Sequence, residues 1–241
     1  MTFLALHGFT QRGSMWSEVA ALAGGEWLMP DLPGHGSEPP CHWAEAVEGI
    51  GARLAGAAAP RCLLGYSMGG RLALAAALAH PALVDRLVMV SAGAGLATAA
   101  ERRRRRARDR VLAAHIEEAG MPAFVEEWLA QALFAGLRRR TAEWRAADAA
   151  ARVSNQAAAV AAALRCLGQG SQPYLGGRLG DLRMPVLLVY GEADAAYGAA
   201  ARHLAGRIAR ATVVEVPGAG HAVVGERPEG LAAALSSWLA G

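Results

Sequence analysis

Arg61-Cys62-Leu63-Leu64-Gly65-Tyr66-Ser67-Met68-Gly69, followed by Gly70-Arg71-Leu72-Ala73-Leu74-Ala75-Ala76-Ala77-Leu78-Ala79, decides how the whole chain is read. Arg61 to Leu64, bounded by Pro60, is a short apolar run of the kind that forms a buried strand. Gly70 to Ala79 has the composition of a helix. Between them, Gly65-x-Ser67-x-Gly69 fits the sharp strand-to-helix turn of a nucleophile elbow. Such a turn leaves no room for side chains two residues either side of the serine, so both positions are glycine. Ser67 is then expected on a strained corner, its hydroxyl exposed at the positive end of the helix dipole. A plain glycine turn is the alternative reading.

Outward from the elbow, strands alternate with helices. Strands are expected at Phe3–Leu6, Trp27–Met29, Val84–Val90, Pro185–Tyr190 and Thr212–Val216. Helices are expected at 42–58, with Trp43, Val47, Ile50 and Leu54 on one face, at 197–209, and from Pro228 to Leu239. The strands are continuous apolar runs, which indicates a parallel sheet covered on both faces. Residues 96–178 have helical spacing and no convincing strand. Helices are expected at 101–119, ending at Gly120-Met121-Pro122, around Phe124 to Leu133, at 138–150 and at 153–167. The expected organisation is an α/β core in two parts, 1–95 and 179–241, with residues 96–178 inserted as a helical cap over the elbow.

The 241 residues are 54% hydrophobic and 19% charged, which is the composition of a globular chain. Gly, His or Arg interrupts every apolar stretch, so no membrane span is expected. Met1 to His7 has no basic leader and runs straight into a strand, so no signal peptide is expected. Cys41, Cys62 and Cys166 form no C-x-x-C pair, which fits a reducing cytoplasm and argues against a disulfide framework or a zinc site. All 24 basic residues are arginine, the side chain suited to forked grips on carboxylates. Arg102 to Arg106 must run all the way round a helix, so one or two can face a site while the others meet solvent. Nucleic acid is not expected as a partner, because no aromatics interleave the arginines and Glu117, Glu118, Glu126 and Glu127 follow closely. The sequence does not set the oligomeric state, and a monomer is favoured.

Chemistry in a parallel sheet collects at the carboxyl ends of its strands. Ser67, Asp194 and His221 each fall just past such an end. A serine hydroxyl needs an imidazole to take its proton. The imidazole needs a carboxylate to set its tautomer and steady its charged form. Pro217-Gly218-Ala219-Gly220 gives His221 a tight loop, whereas His35, His42, His80, His115 and His203 lack such a setting. Glu192 is the rival acid. The strand ending in His7-Gly8-Phe9 is expected to supply an oxyanion-binding amide from Phe9, with His7 a hydrogen-bonder inside the loop.

Several stretches together resemble one family. These are Leu6-His7-Gly8-Phe9, Asp31-Leu32-Pro33-Gly34-His35-Gly36, Gly65 to Arg71, Arg105-x-x-x-Asp109, Phe124-x-x-x-Trp128-x-x-x-x-Leu133-Phe134, and Leu164-Arg165-x-Leu167-Gly168-x-Gly170-x-Gln172-Pro173. The first two are shared by many α/β hydrolases; the full set resembles the 2-succinyl-6-hydroxy-2,4-cyclohexadiene-1-carboxylate synthases of menaquinone biosynthesis. That resemblance implies an α/β-hydrolase fold, no cofactor, a small polycarboxylate substrate, and proton abstraction by Ser67 with His221 and Asp194. It implies oxyanion binding by the Phe9 and Met68 amides, and substrate binding by Tyr66, Arg71, Arg105, Trp128 and Arg152. For Arg152, a solvated helix residue is the alternative. Two positions depart from the family, Ala196 where a lysine is usual and Gly176 where an aromatic is common. A carboxylesterase or carbon–carbon bond hydrolase is the other enzymatic reading. A non-catalytic binding protein is the third, and the complete Ser, Asp and His set argues against it.

Overall fold

The computed structural model describes residues 1–241. Its strands are β1 (Thr2–Leu6), β2 (Glu26–Leu28), β3 (Arg61–Tyr66), β4 (Arg86–Val90), β5 (Val186–Gly191) and β6 (Ala211–Val216). They form one sheet in the order β2-β1-β3-β4-β5-β6, with every neighbouring pair parallel. Successive strand residues point to opposite faces, and helices cover both. Leu63, Leu87, Met89 and Leu188 pack with α2 (Trp43–Gly56), α3 (Met68–Ala79) and α7 (Ala195–Ala205). Leu64, Val88, Val90 and Leu187 pack with α1 (Ser17–Ala23) and α9 (Pro228–Ala240). Each such side chain contributes about 1.5–3 kcal/mol by burial, which is why the strands carry no polar alternation.

Strand order reverses between β1 and β3, because the chain steps outward to β2 after β1 but in the other direction after β3. The loops after β1 and β3 therefore diverge and leave a crevice at their carboxyl ends. Phe9 and Ser67 lie on its two sides.

Between β4 and β5 the chain forms α4 (Ala99–Ala130), a 3-10 helix (Ala132–Arg139), α5 (Ala142–Val153) and α6 (Ala157–Leu167). Thr98 and Glu101 close a reciprocal capping box at the start of α4. Gly120, at φ +73°, breaks α4 in two where the break was expected. Ala113, Ile116, Phe124, Val160 and Leu164 make a separate small core joining α4 to α6.

Helix boundaries differ from the sequence expectation, most clearly in three helices. The helix expected from Arg138 begins at Ala142, because Thr141 takes the N-cap position and accepts the Trp144 N–H at 3.2 Å. The helix expected from Val153 begins at Ala157. Asn155 is instead committed to tertiary bonds, donating to the Thr10 carbonyl at 2.8 Å and accepting the Gly36 N–H at 2.8 Å. The helix expected at 197–209 runs from Ala195 to Ala205, capped by Asp194 through the Tyr197 N–H at 3.3 Å. No helix is long and apolar enough to cross a membrane.

Candidate active site

Ser67 sits between β3 and α3 at φ 51°, ψ −108°, a strained backbone for a residue with a side chain. The strain is held from both sides, since the Ser67 N–H donates to Val90 O at 2.9 Å and the Gly69 N–H to His7 O at 3.0 Å. A methyl group on Gly65 would overlap the Gly69 carbonyl, and one on Gly69 would overlap the Leu6 carbonyl. Only glycine fits either place.

The His221 Nδ1 lies 2.8 Å from Asp194 Oδ2, both residues being buried. A carboxylate only accepts, so Nδ1 carries the imidazole proton and Nε2 presents its lone pair. Nε2 is 3.3 Å from Ser67 Oγ. In this geometry the imidazole can take the serine proton while Asp194 steadies the resulting charge. Glu192 is turned elsewhere and accepts the Gly218 N–H at 2.7 Å.

The Phe9 N–H donates to no protein acceptor. Met68 is the first residue of α3, where an amide has no partner within its own helix. Gly8 is required beside them, because a methyl there would lie 2.6 Å from the Tyr66 ring. His7 and His35 are buried braces of this loop. His7 Nε2 accepts the Leu32 N–H at 2.8 Å, and His35 Nε2 accepts the Thr10 N–H at 3.1 Å.

A cavity of about 180 Å³ lies between sheet and inserted helices, lined by Ser67, His221, Phe9, Met68, Tyr66, Arg71, Arg105, Trp128 and Arg152 among others. Of the ten residues expected to be catalytic, to bind the oxyanion or to bind substrate, Asp194 alone is not in the wall, standing behind His221. Within the arginine run, Arg105 lines the cavity while Arg103 and Arg104 face solvent. Arg102 donates to Leu96 O at 2.7 Å and Arg106 to Gly170 O at 2.9 Å.

The three arginines differ in what already holds them. Arg105 is paired with Asp109 at 2.7 Å, and Arg152 with Asp148 at 2.8 Å. Arg152 is buried and also donates to Thr10 Oγ1 at 2.6 Å, so it is not the solvated residue that the sequence left open. Arg71 has neutral partners only, Leu167 O at 3.0 Å and Gln172 Oε1 at 3.3 Å. Burial pulls its pKa down to about 10. A buried cation with no acidic partner is costly, and an anion in the cavity would offset that cost.

Sequence reasoning missed the wall residues Gln11, Gln169 and Tyr197, and gave Phe134 a place in a motif but no role. Tyr197 stands one helical turn after Asp194, its ring centroid 4.7 Å from that of His221, and burial raises its pKa. Its place on the helix after the acid was the signal available. The two departures, Ala196 and Gly176, line a neighbouring cavity of about 450 Å³ that shares only Gln169 and Tyr197 with the first. No three His, Cys, Asp or Glu side chains come together as metal ligands.

The alpha/beta hydrolase family matches residues 3–234. A 2-succinyl-6-hydroxy-2,4-cyclohexadiene-1-carboxylate synthase of Escherichia coli O1:K1 / APEC is 31% identical over 240 residues, 97% of this chain and 92% of that protein. A Bacillus subtilis (strain 168) protein, provisionally given the same name, is 38% identical over 177 residues, 73% of this chain and 65% of that protein. The structure of MenH from S. aureus superposes with a TM-score of 0.93 at 25% identity, covering 100% of this chain and 93% of that one.

Proposed function

The chain belongs to the alpha/beta hydrolase family and is homologous to the 2-succinyl-6-hydroxy-2,4-cyclohexadiene-1-carboxylate synthases, and we propose that it carries out the reaction for which they are named. The reaction is a carbon–oxygen elimination in menaquinone biosynthesis. Its substrate is 2-succinyl-5-enolpyruvyl-6-hydroxy-3-cyclohexene-1-carboxylate, and its products are the cyclohexadiene and pyruvate. The observation that carries the proposal is that one cavity holds both the Ser67–His221 couple and Arg71, a buried cation without an acidic partner, flanked by Arg105 and Arg152. A hydrolase acting on neutral esters has no use for that charge.

In this reading His221 takes the Ser67 proton as Ser67 Oγ removes the ring proton next to the succinyl ketone. The electron pair moves onto the ketone oxygen, where the Phe9 and Met68 amides stabilise it, and returns as the ring carbon–oxygen bond to enolpyruvate breaks. The departing enolate takes a proton from the His221 imidazolium and leaves as pyruvate, which restores the site. Each oxyanion donor is worth about 3 kcal/mol. The three substrate carboxylates match arginine forks, and fixing the ring so that its C–H faces Ser67 supplies several kcal/mol more.

The test is a pyruvate-release assay on the enolpyruvyl substrate beside a panel of simple esters. Pyruvate is expected with no solvent oxygen entering either product and no acyl-Ser67 in quenched reactions. Fast ester turnover without pyruvate release, or an acyl-Ser67 on the productive path, restores the hydrolase reading. Arg71→Ala and Arg105→Ala are expected to raise KM for the tricarboxylate by about 10- to 100-fold each, from 1.5–3 kcal/mol per lost charged contact. Turnover of any neutral ester should barely change, and equal losses on both substrates would remove the binding role.

A further inference from the structure

Glu226 is the last residue of α8 (Val223–Glu226), the single helical turn after His221. Its side chain has no solvent-exposed surface. It is absent from the cavity wall, so it cannot touch a substrate there. Its Oε2 accepts the Gly220 N–H at 2.7 Å and its Oε1 accepts the Ala222 N–H at 3.2 Å. These are the backbone N–H groups of the residues on either side of His221. A buried carboxylate is costly unless such donors satisfy it, and this one is spent on the segment that carries the imidazole.

The inserted helices close over the same group. A methyl on Gly136, in the 3-10 helix Ala132–Arg139, would overlap Glu226 Oε2. From the same helix Arg139 donates to Glu226 Oε2 at 3.4 Å and to Gly218 O at 2.6 Å, bridging the carboxylate to the start of the histidine loop. Phe134, two residues before Gly136, lines the cavity with its ring 6.5 Å from that of His221.

We infer that Glu226 is a positioning residue for His221, an acid outside the Ser67–His221–Asp194 set that clamps the imidazole-bearing peptide and seats the 132–139 segment against it. Asp194 sets the tautomer and tilt of the ring; Glu226 sets where the backbone beneath it lies. The 3.3 Å reach from His221 Nε2 to Ser67 Oγ leaves little room for drift. The inference rests on the serine–imidazole reading of the site and not on the identity of the substrate.

The test is phosphonylation of Ser67 by a fluorophosphonate, in which the Oγ–P bond forms, fluoride leaves and His221 takes the hydroxyl proton. Glu226→Gln keeps the shape but offers one amide oxygen and an NH2 that would face a backbone N–H. It is expected to slow phosphonylation and kcat in parallel by about 10- to 100-fold, as small misplacements do, with KM within about twofold of wild type. Glu226→Asp keeps the charge but is a methylene too short to reach both amides, and should show a smaller parallel loss. Phosphonylation of folded Glu226→Gln at the wild-type rate, even with a lowered unfolding midpoint, would overturn the inference. If Glu226→Gln does not fold, a wild-type rate in Glu226→Asp overturns it equally. A wild-type Ser67 inert to the reagent would instead bring down the serine–imidazole reading itself, and this inference with it.

Discussion

Replacing Ser67 with alanine is expected to lower kcat for pyruvate release by about 10⁴- to 10⁶-fold, the scale seen when one member of an interdependent catalytic set is removed. His221→Ala should match it and Asp194→Asn should fall somewhat short. The reason lies in the geometry of a relay. Ser67 Oγ meets the imidazole at 3.3 Å, and the imidazole meets Asp194 at 2.8 Å on its other nitrogen. Without the serine, the imidazole has nothing to activate; without the imidazole, the hydroxyl keeps its proton. Double replacements should therefore be little worse than the worst single one. The folded state should persist in each, because the elbow is held by backbone bonds from Ser67 N–H and Gly69 N–H that an alanine leaves in place. Urea unfolding beside single-turnover kinetics checks both statements, and additive losses in the doubles would mean that the three residues do not act as one unit.

Acid is expected to destabilise the fold well above the range in which carboxylates titrate. His7 and His35 are fully buried, and burial is the main cause that pulls their pKa values down to about 3 and about 4. The hydrogen bonds agree, because each ring must keep Nε2 unprotonated to accept a backbone N–H, from Leu32 and from Thr10. An unfolded histidine takes up a proton near pH 6.5. Below that pH the unfolded chain binds protons that the folded chain refuses, so stability is full above about pH 6.5 and is lost as pH falls. The loss runs at about 1.4 kcal/mol per pH unit for each histidine and ends only near the folded values. Between pH 6.5 and 5 the pair should cost about 3 kcal/mol, read as a falling urea midpoint. His35→Gln should lower stability outright yet flatten the slope by about one proton. A midpoint unchanged from pH 7.5 to 5 would show that these rings protonate freely in the folded state.

The architecture was legible because its signals are local. A strand buried on both faces reads as an apolar run wherever it lies, and the glycines at 65 and 69 report a turn whose tightness involves neighbours a few residues away. Parallel strands also carry their loops to one edge, so Ser67, Asp194 and His221 could be picked from position alone. Helix limits in the insertion were less legible. Thr141 and Asn155 stop or delay a helix through a cap and through bonds to Thr10 and Gly36, and the second kind of partner is more than a hundred residues away.

What each arginine does was decided only by tertiary packing. Helical phase requires that the run 102–106 cannot all face one way, but which one turns inward depends on how α4 lies against α6. Arg152 reads as a solvated helix residue until Thr10 and Asp148 close round it. Arg71 reads as a substrate-binding arginine by resemblance, but that it has no acidic partner shows only in its surroundings of neutral oxygens. Glu226 carried no signal at all, since a glutamate two residues before the last long helix reads as surface charge. By itself the sequence determined the sheet, the elbow and the edge where chemistry gathers, because backbone sterics and side-chain period act over a few residues. The tertiary structure alone decided which charges are buried, which are paired and which are left facing the cavity, because the energy of a charge depends on every group brought near it, however distant in the chain.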